Sequence, residues 1–187
     1  MLPPVKRLAT HVIDAASWPR VGLLGLACAG CMYFLMAAEA RIKERSGGLG
    51  VPDLLHGFSA DGLYALLEAY GDEGRAIYLR AELVDLVYPL GYGFFFAFLV
   101  ALAARRVLRE GSPWRLLCLM PFAATCFDYL ENTCFFTILL RWPARLDFVA
   151  QLASIFNLTK WSCFAVTAIG LLALAVVALR GARPAPT

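Results

Sequence analysis

The sequence has few charged residues for its length. Only 17% of its 187 residues are Asp, Glu, Lys or Arg, whereas about a quarter are charged in soluble globular domains. Hydrophobic residues make up 60% of the chain, and they come in long runs that contain few charges. A water-soluble fold is therefore excluded, and the composition predicts an integral membrane protein in contact with the lipid bilayer.

Histidine and loop cysteine are also scarce. His11 and His56 are the only histidines, and we expect them on opposite sides of the membrane, which excludes a histidine-rich metal centre. The six cysteines fall within apolar runs, so a secreted disulfide scaffold is excluded as well. The cations cluster at the ends of apolar runs, as membrane topology requires, and this distribution predicts no binding of nucleic acid.

Four apolar runs are long enough to cross a bilayer, which takes about 20 helical residues. Arginines bound the runs, and Trp18, Trp114 and Trp142 lie just outside span ends, where aromatic rings favour the interface. The sequence predicts an all-α, four-helix integral membrane bundle that forms a single domain over residues 1–187. The predicted spanning helices cover residues 21–40, 76–105, 115–141 and 148–180, and Pro89 should kink the second.

Positive charges set the predicted orientation. With four spans, both termini and the loop between the second and third spans share one side of the membrane. That side holds nine Lys and Arg residues, Arg183 among them, against seven on the other. Because Lys and Arg favour the cytoplasmic side, we expect both termini in the cytoplasm, with the protein in the plasma membrane or an inner membrane.

Two amphipathic segments flank these spans. Residues 4–17 place apolar side chains at helical spacing and predict a short helix on the cytoplasmic surface. In the outer loop over 41–75, an apolar stripe that ends at Tyr70 follows a candidate helix cap at Ser59 or Asp61. This pattern predicts a short helix that lies either over the outer mouth of the bundle or flat at the interface.

Acidic residues lie deep within the third predicted span. Asp128, Glu131 and Asn132 follow at spacings of three and four, which puts them on one helical face. A charge at that depth costs about 3 kcal/mol or more unless it faces protein or water. Because the neighbouring helices carry polar residues at similar depth, we predict an outward-facing polar and acidic site between the second, third and fourth helices. Its predicted members are Glu82, Asp85, Asp128, Glu131, Asn132, Asn157 and Lys160, with Tyr78, Tyr92, His56, Arg75 and Arg80 as accessory candidates.

Three interpretations of this site remain open. In the first, it binds or transports a cation, a proton or a polar head group, with Asp128 and Glu131 as the deepest ligands and Lys160 as counter-charge. Transport through four helices would require a homo-oligomer or a membrane partner. In the second, the protein is a membrane enzyme that acts on a lipid, with Glu131 or Asp128 as general base. In the third, the charges only set helix pairing in a structural or assembly subunit.

The site residues leave the question of a metal or a cofactor open. Facing pairs of carboxylates supply the oxygen ligands that Mg, Mn or Ca prefers. Protonation would relieve the same repulsion between like charges, and so would a cationic ligand. The sequence does not distinguish among these three, and it indicates no particular cofactor.

Cys28 and Cys31 form a Cys-x-x-Cys motif in the first predicted span. Together with four helices, this motif resembles the membrane thiol oxidoreductases of the vitamin K epoxide reductase family, which pass electrons to quinone. In that family the reactive pair lies near the outer surface, and a second cysteine pair occupies an outer loop. Here the pair falls in mid-span and the loops contain no cysteine, so thiol redox chemistry is a further alternative to the three interpretations above.

Overall fold

The computed structural model describes residues 4–181, so Arg183 from the orientation count lies outside the described residues. The described chain is all-helical and contains no strand. Short 3-10 helices cover Pro52–Leu54 and Pro113–Leu119. The α-helices are α1 (Pro4–Ala15), α2 (Trp18–Arg45), α3 (Ala60–Ala69), α4 (Gly71–Val84), α5 (Tyr88–Val107), α6 (Met120–Arg141) and α7 (Asp147–Gly181).

Within residues 4–181, three helices, α2, α5 and α7, are long and apolar enough to cross a membrane. Leu26 of α2 and Ile169 of α7 are among the large apolar side chains that these helices expose, as expected for surfaces that face lipid. The 35 residues of α7 rise about 52 Å, so this helix extends beyond a hydrocarbon core of about 30 Å. α6 is not among the three, because the polar residues near its middle, Asp128 and Glu131 above all, lower its mean hydropathy.

The chain forms two helices where the sequence predicted one kinked helix over 76–105. α4 ends at Val84, residues 85–87 form a turn, and α5 begins at Tyr88 with Pro89 as its second residue. Proline is tolerated in the first turn of a helix, where its missing N–H is not needed, but it disrupts a helix interior. The chain therefore breaks just before Pro89 and does not merely bend there.

α5 lies at the centre of the fold, in contact with α1, α2, α6 and α7. Ala97, Ala101 and Ala104 are fully buried on this helix, and such small side chains let neighbouring helices approach closely. Gly170 of α7 has a similar role against Leu117, because a Cβ at position 170 would overlap the Leu117 side chain. The packing of α7 beside α5 and α6 sets the positions of the polar side chains described below.

Both predicted amphipathic segments form helices. α1 buries Ala9, Val12 and Ile13 against α5 and the 3-10 helix at Pro113–Leu119, so part of its apolar face contacts protein. α3 begins after the predicted cap Ser59, whose Oγ accepts a hydrogen bond from the Gly62 amide at 3.0 Å. α3 packs on α7 and α4, at the same end of the fold as the loop that follows α2.

Candidate functional site

A cavity of about 480 Å³ lies between α2, α4, α5 and α7, with one residue of α6 in its wall. Along α7 the lining passes from the charged Lys160 through Phe164 to Leu171, and along α5 it passes from Tyr88 to Phe96. One end of the cavity is therefore polar and the other apolar. The polar end is lined mainly by Asp53, Tyr78, Glu82, Asp85, Asp128 and Lys160. The apolar arm is the part lined by Met32, Leu35, Phe96, Phe164, Ala168 and Leu171.

A buried ion network connects α6 and α7 at the polar end. Lys160 Nζ lies 2.5 Å from Glu131 Oε2 and 3.2 Å from Asp128 Oδ1, and all three residues are at most 5% exposed. The Tyr92 hydroxyl donates to Asp128 Oδ2 at 2.6 Å, and Asn157 Nδ2 donates to Glu131 Oε1 at 2.9 Å. Two carboxylates thus share one ammonium group, and each has a second donor, as stable burial of such charges requires.

Glu82 lacks this compensation. Glu82 is 2% exposed and lines the cavity, and its Oε2 has no hydrogen-bond partner. The neighbouring carboxylates have only neutral donors: Asp53 accepts from the Tyr78 hydroxyl at 2.8 Å, and Asp85 accepts from Asn132 Nδ2 at 2.8 Å. None of the three acids forms an ion pair with any residue between 4 and 181. We call Asp53, Glu82 and Asp85 the carboxylate trio.

Burial has a direct electrostatic effect on Asp53, which lies in the loop after α2. It raises the pKa of the Asp53 carboxyl above its ordinary value, although the Lys160 ammonium and the hydrogen bond from Tyr78 act in the opposite direction. The nearby Asp128 carboxylate adds to the increase. Ionisation of Asp53 is therefore disfavoured as long as no further positive charge enters the polar end.

The loop after α2 covers the polar end of the cavity and is hydrogen-bonded to α7. Asn157 donates from Nδ2 to the Asp53 carbonyl at 3.0 Å and accepts at Oδ1 from the Gly57 amide at 3.1 Å. Ser154 Oγ accepts from the Phe58 amide at 2.8 Å. These side chains replace the partners that a loop backbone would otherwise find in water, so the loop is held in place as part of the cavity wall.

Most of the predicted site residues meet at this polar end. Those that line the cavity are Tyr78, Glu82, Asp85, Tyr92, Asp128 and Lys160. Glu131, Asn132 and Asn157 lie directly behind the wall, each with 0% exposure, and they contact the lining residues Lys160, Asp85 and Asp53, respectively. Glu131, expected to be among the deepest ligands, is therefore a partner of Lys160 that does not itself line the cavity.

Three accessory candidates do not line the cavity. His56 is exposed and packs its ring on Trp161, with 4.9 Å between ring centroids. Arg75 pairs with Asp72 and lies over the Trp142 ring. Arg80 is exposed, because the helical turn of α4 that carries Glu82 into the cavity points Arg80 away from it.

Asp53 is a site residue that sequence reasoning missed. In the sequence it is one of several acids in a loop, and no helical spacing relates it to α4, α6 or α7. Hydrogen bonds from Asn157 and Trp161 to its carbonyl, and from Tyr78 to its carboxylate, hold it at the cavity. The adjacent Pro52, which restricts the backbone, is the only local sign that this part of the loop is ordered.

Neither metal ligation nor a disulfide is built into the described residues. Within 4–181, no group of three or more His, Cys, Asp or Glu side chains is arranged to hold a metal ion. Cys28 and Cys31 are partly buried free thiols, and Cys28 packs against a buried cluster that includes Tyr92 of α5.

Comparisons with known proteins do not assign this chain to a group. No family model, no curated protein and no solved structure gives a significant match to it. Functional reasoning therefore depends on the cavity and its side chains.

Proposed function

We propose that this membrane protein binds the positively charged group of an organic cation at the carboxylate trio Asp53, Glu82 and Asp85. The observation that supports this proposal most directly is the unpartnered Oε2 of Glu82, a nearly fully buried oxygen in the wall of a cavity large enough for a small molecule. A buried polar atom without a partner costs free energy, and a bound donor would remove that cost.

The balance of charge at the polar end favours a cation. Asp128 and Glu131 already share Lys160, which is the one cationic residue among the described residues that line the cavity. The carboxylate trio is left without a positive partner. A cation placed among the three acids would favour their ionised forms and gain from the low dielectric of the site.

The surrounding side chains favour an amine over a metal ion. Trp161, Tyr88 and Tyr92 line the cavity beside the carboxylate trio, and aromatic rings attract ammonium groups through their faces. The trio is not arranged as a set of metal ligands, and the described residues offer no other such set. An ammonium group carries a single positive charge and needs only hydrogen-bond acceptors as partners, so it fits this environment.

In this proposal the ion network positions the site and does not contact the ligand's charge directly. Lys160 with Asp128 and Glu131 holds α6 against α7, which is the helix-pairing role that the sequence also suggested. Tyr92 and Asn157 extend that network to α5 and to the loop after α2. The carboxylate trio then projects from a fixed frame.

For the membrane arrangement, we propose that α6 crosses the bilayer as a fourth span, with both termini in the cytoplasm of the plasma membrane or an inner membrane. The orientation of α6 supports this arrangement, because Asp128 and Glu131 face α7 and so need not contact lipid. The carboxylate trio would then lie toward the outer surface. Binding needs only one chain, whereas transport of the cation would require a second copy or a membrane partner.

Butylamine binding to the full-length protein in phosphatidylcholine nanodiscs, measured by calorimetry, tests the proposal. Glu82→Gln keeps the side-chain shape but removes the charge, and we expect it to weaken binding at least tenfold. The matched control is Glu68→Gln, because Glu68 is an exposed acid of α3 and should not influence binding. Equal affinity of the Glu82→Gln variant and the unaltered protein would refute the proposal.

A further inference from the structure

We infer that the ligand is a single-chain amphiphile, with an amine at the carboxylate trio and an unbranched hydrocarbon chain in the apolar arm of the cavity. This inference rests on the proposed function and adds to it the class of molecule that carries the cation. It is supported by the depth, the size and the opening of the apolar arm.

The apolar arm lies at the depth of the hydrocarbon core. Its walls come from α2, α5 and α7, which are the three helices apolar enough to cross a membrane. From Lys160 to Leu171 the α7 wall rises eleven residues, or about 16 Å. Along α2 the lining also changes from polar to apolar, from Glu39 beside the polar end to Met32 within the arm. A chain in this arm would therefore lie along the helices, as lipid chains do.

The cavity has the volume of a single chain with its head group. A group the size of a water molecule takes about 30 Å³, so a cavity of about 480 Å³ holds about 16 such groups. Dodecylamine has thirteen non-hydrogen atoms and fits within this volume. A lipid with two long chains does not, because its second chain alone would exceed the space that remains.

The arm opens sideways toward the bilayer. Met32 of α2 and Ala168 of α7 line it from two sides, and both are exposed at the surface that these membrane helices present. At the opposite end, the loop after α2 covers the carboxylate trio and is fixed to α7 by Asn157 and Ser154. An amphiphile dissolved in the membrane can thus enter between α2 and α7, head group first, without passing the loop.

The test uses the full-length protein in phosphatidylcholine nanodiscs and measures the binding of radiolabelled dodecylamine and of butylamine. Ala168→Trp places a large side chain in the arm and should weaken dodecylamine binding at least tenfold, while butylamine binding changes less than twofold. Ala165→Trp is the matched control, because Ala165 is exposed on α7 but does not line the cavity. Leu171→Trp, deeper in the arm, gives the same expectation if Ala168→Trp does not fold.

The outcomes separate this inference from the proposed function. Unchanged dodecylamine affinity in the arm-filling variants, or an equal loss for both amines, would overturn the inference. The proposed function would still stand if Glu82→Gln lowered butylamine affinity, and it would fall if that variant left butylamine binding intact. Dodecanol, which has the same chain without the charge, should not compete with dodecylamine, and competition at equal concentration would overturn the amine assignment.

Discussion

Lys160 Nζ and Asp128 Oδ1 lie 3.2 Å apart on neighbouring helices, and both side chains are almost completely removed from solvent. Glu131 shares the same ammonium group. Loss of the lysine would leave two carboxylates buried without a counter-charge. We therefore expect substitution of Lys160 to destabilise the fold.

We therefore expect Lys160→Met to reduce the free energy of unfolding by about 3–5 kcal/mol, measured by thermal or denaturant unfolding in detergent. Arg45→Met removes an exposed pair with Glu73 and should cost less than about 1 kcal/mol. Because two orphaned charges cause the loss, adding Asp128→Asn and Glu131→Gln to Lys160→Met should restore part of the stability. A Lys160→Met protein as stable as the unaltered one would show that the ion network is not formed.

The loop after α2, which covers the polar end, should open more often when one of its hydrogen bonds to α7 is removed. Ser154→Ala deletes the acceptor of the Phe58 amide, and a typical net contribution of about 1 kcal/mol corresponds to about a fivefold faster exchange of that amide. Hydrogen exchange measured by mass spectrometry on the peptide that contains Phe58 gives the value. Ser162→Ala is the control, because that hydroxyl is exposed and bonds only to the Leu158 carbonyl of its own helix. Equal exchange in both variants would contradict the assigned contact.

The raised pKa of Asp53 predicts the sign of a pH effect. A carboxyl whose pKa is higher in the folded protein than in the unfolded chain binds its proton more tightly when folded, so its contribution to stability is present at low pH and is lost as the pH rises through the folded pKa. Asp53→Asn removes the charge but keeps an oxygen that can accept from Tyr78. We expect this variant to be more stable than the unaltered protein at pH 8, with the difference vanishing near pH 4, as followed by the unfolding temperature. If the stability of Asp53→Asn relative to the unaltered protein were lower at pH 8 than at pH 4, the pH effect would have the opposite sign and the prediction would be wrong.

The position of α6 determines on which sides of the membrane the two termini lie. If α6 crosses the bilayer with α2, α5 and α7, the number of spans is even and the termini share a side; three spans would put them on opposite sides. We expect tags at the two ends to be equally protected from protease added outside right-side-out vesicles. Cleavage of one tag alone would exclude the fourth span.

The sequence predicted the core of the polar cluster because helical geometry is regular. The spacing of Asp128, Glu131 and Asn132 defines one face, and the structure buries all three. Counting helical rise from the charged span ends placed Lys160 and Asn157 in one outer band with those acids, although farther out, and both make contacts with them. Periodicity and rise are properties of a single helix and need no knowledge of the tertiary fold.

What the sequence did not predict depends on irregular backbone. The turn at 85–87 separates α4 from α5, where the sequence predicted one continuous kinked helix. Asp53 reaches the cavity through a loop whose course is set by distant partners. Such positions have no repeating pattern that a sequence could reveal.

Asn157 contacts two parts of the molecule with a single amide group, since its Nδ2 donates both to the Asp53 carbonyl and to Glu131 Oε1. Any displacement that lifts the loop also moves or frees a donor that the Glu131 carboxylate uses. The charge balance around Lys160 and the position of the loop are consequently linked through one side chain, so a displacement of the loop over the polar end is communicated to the helix pair beneath it.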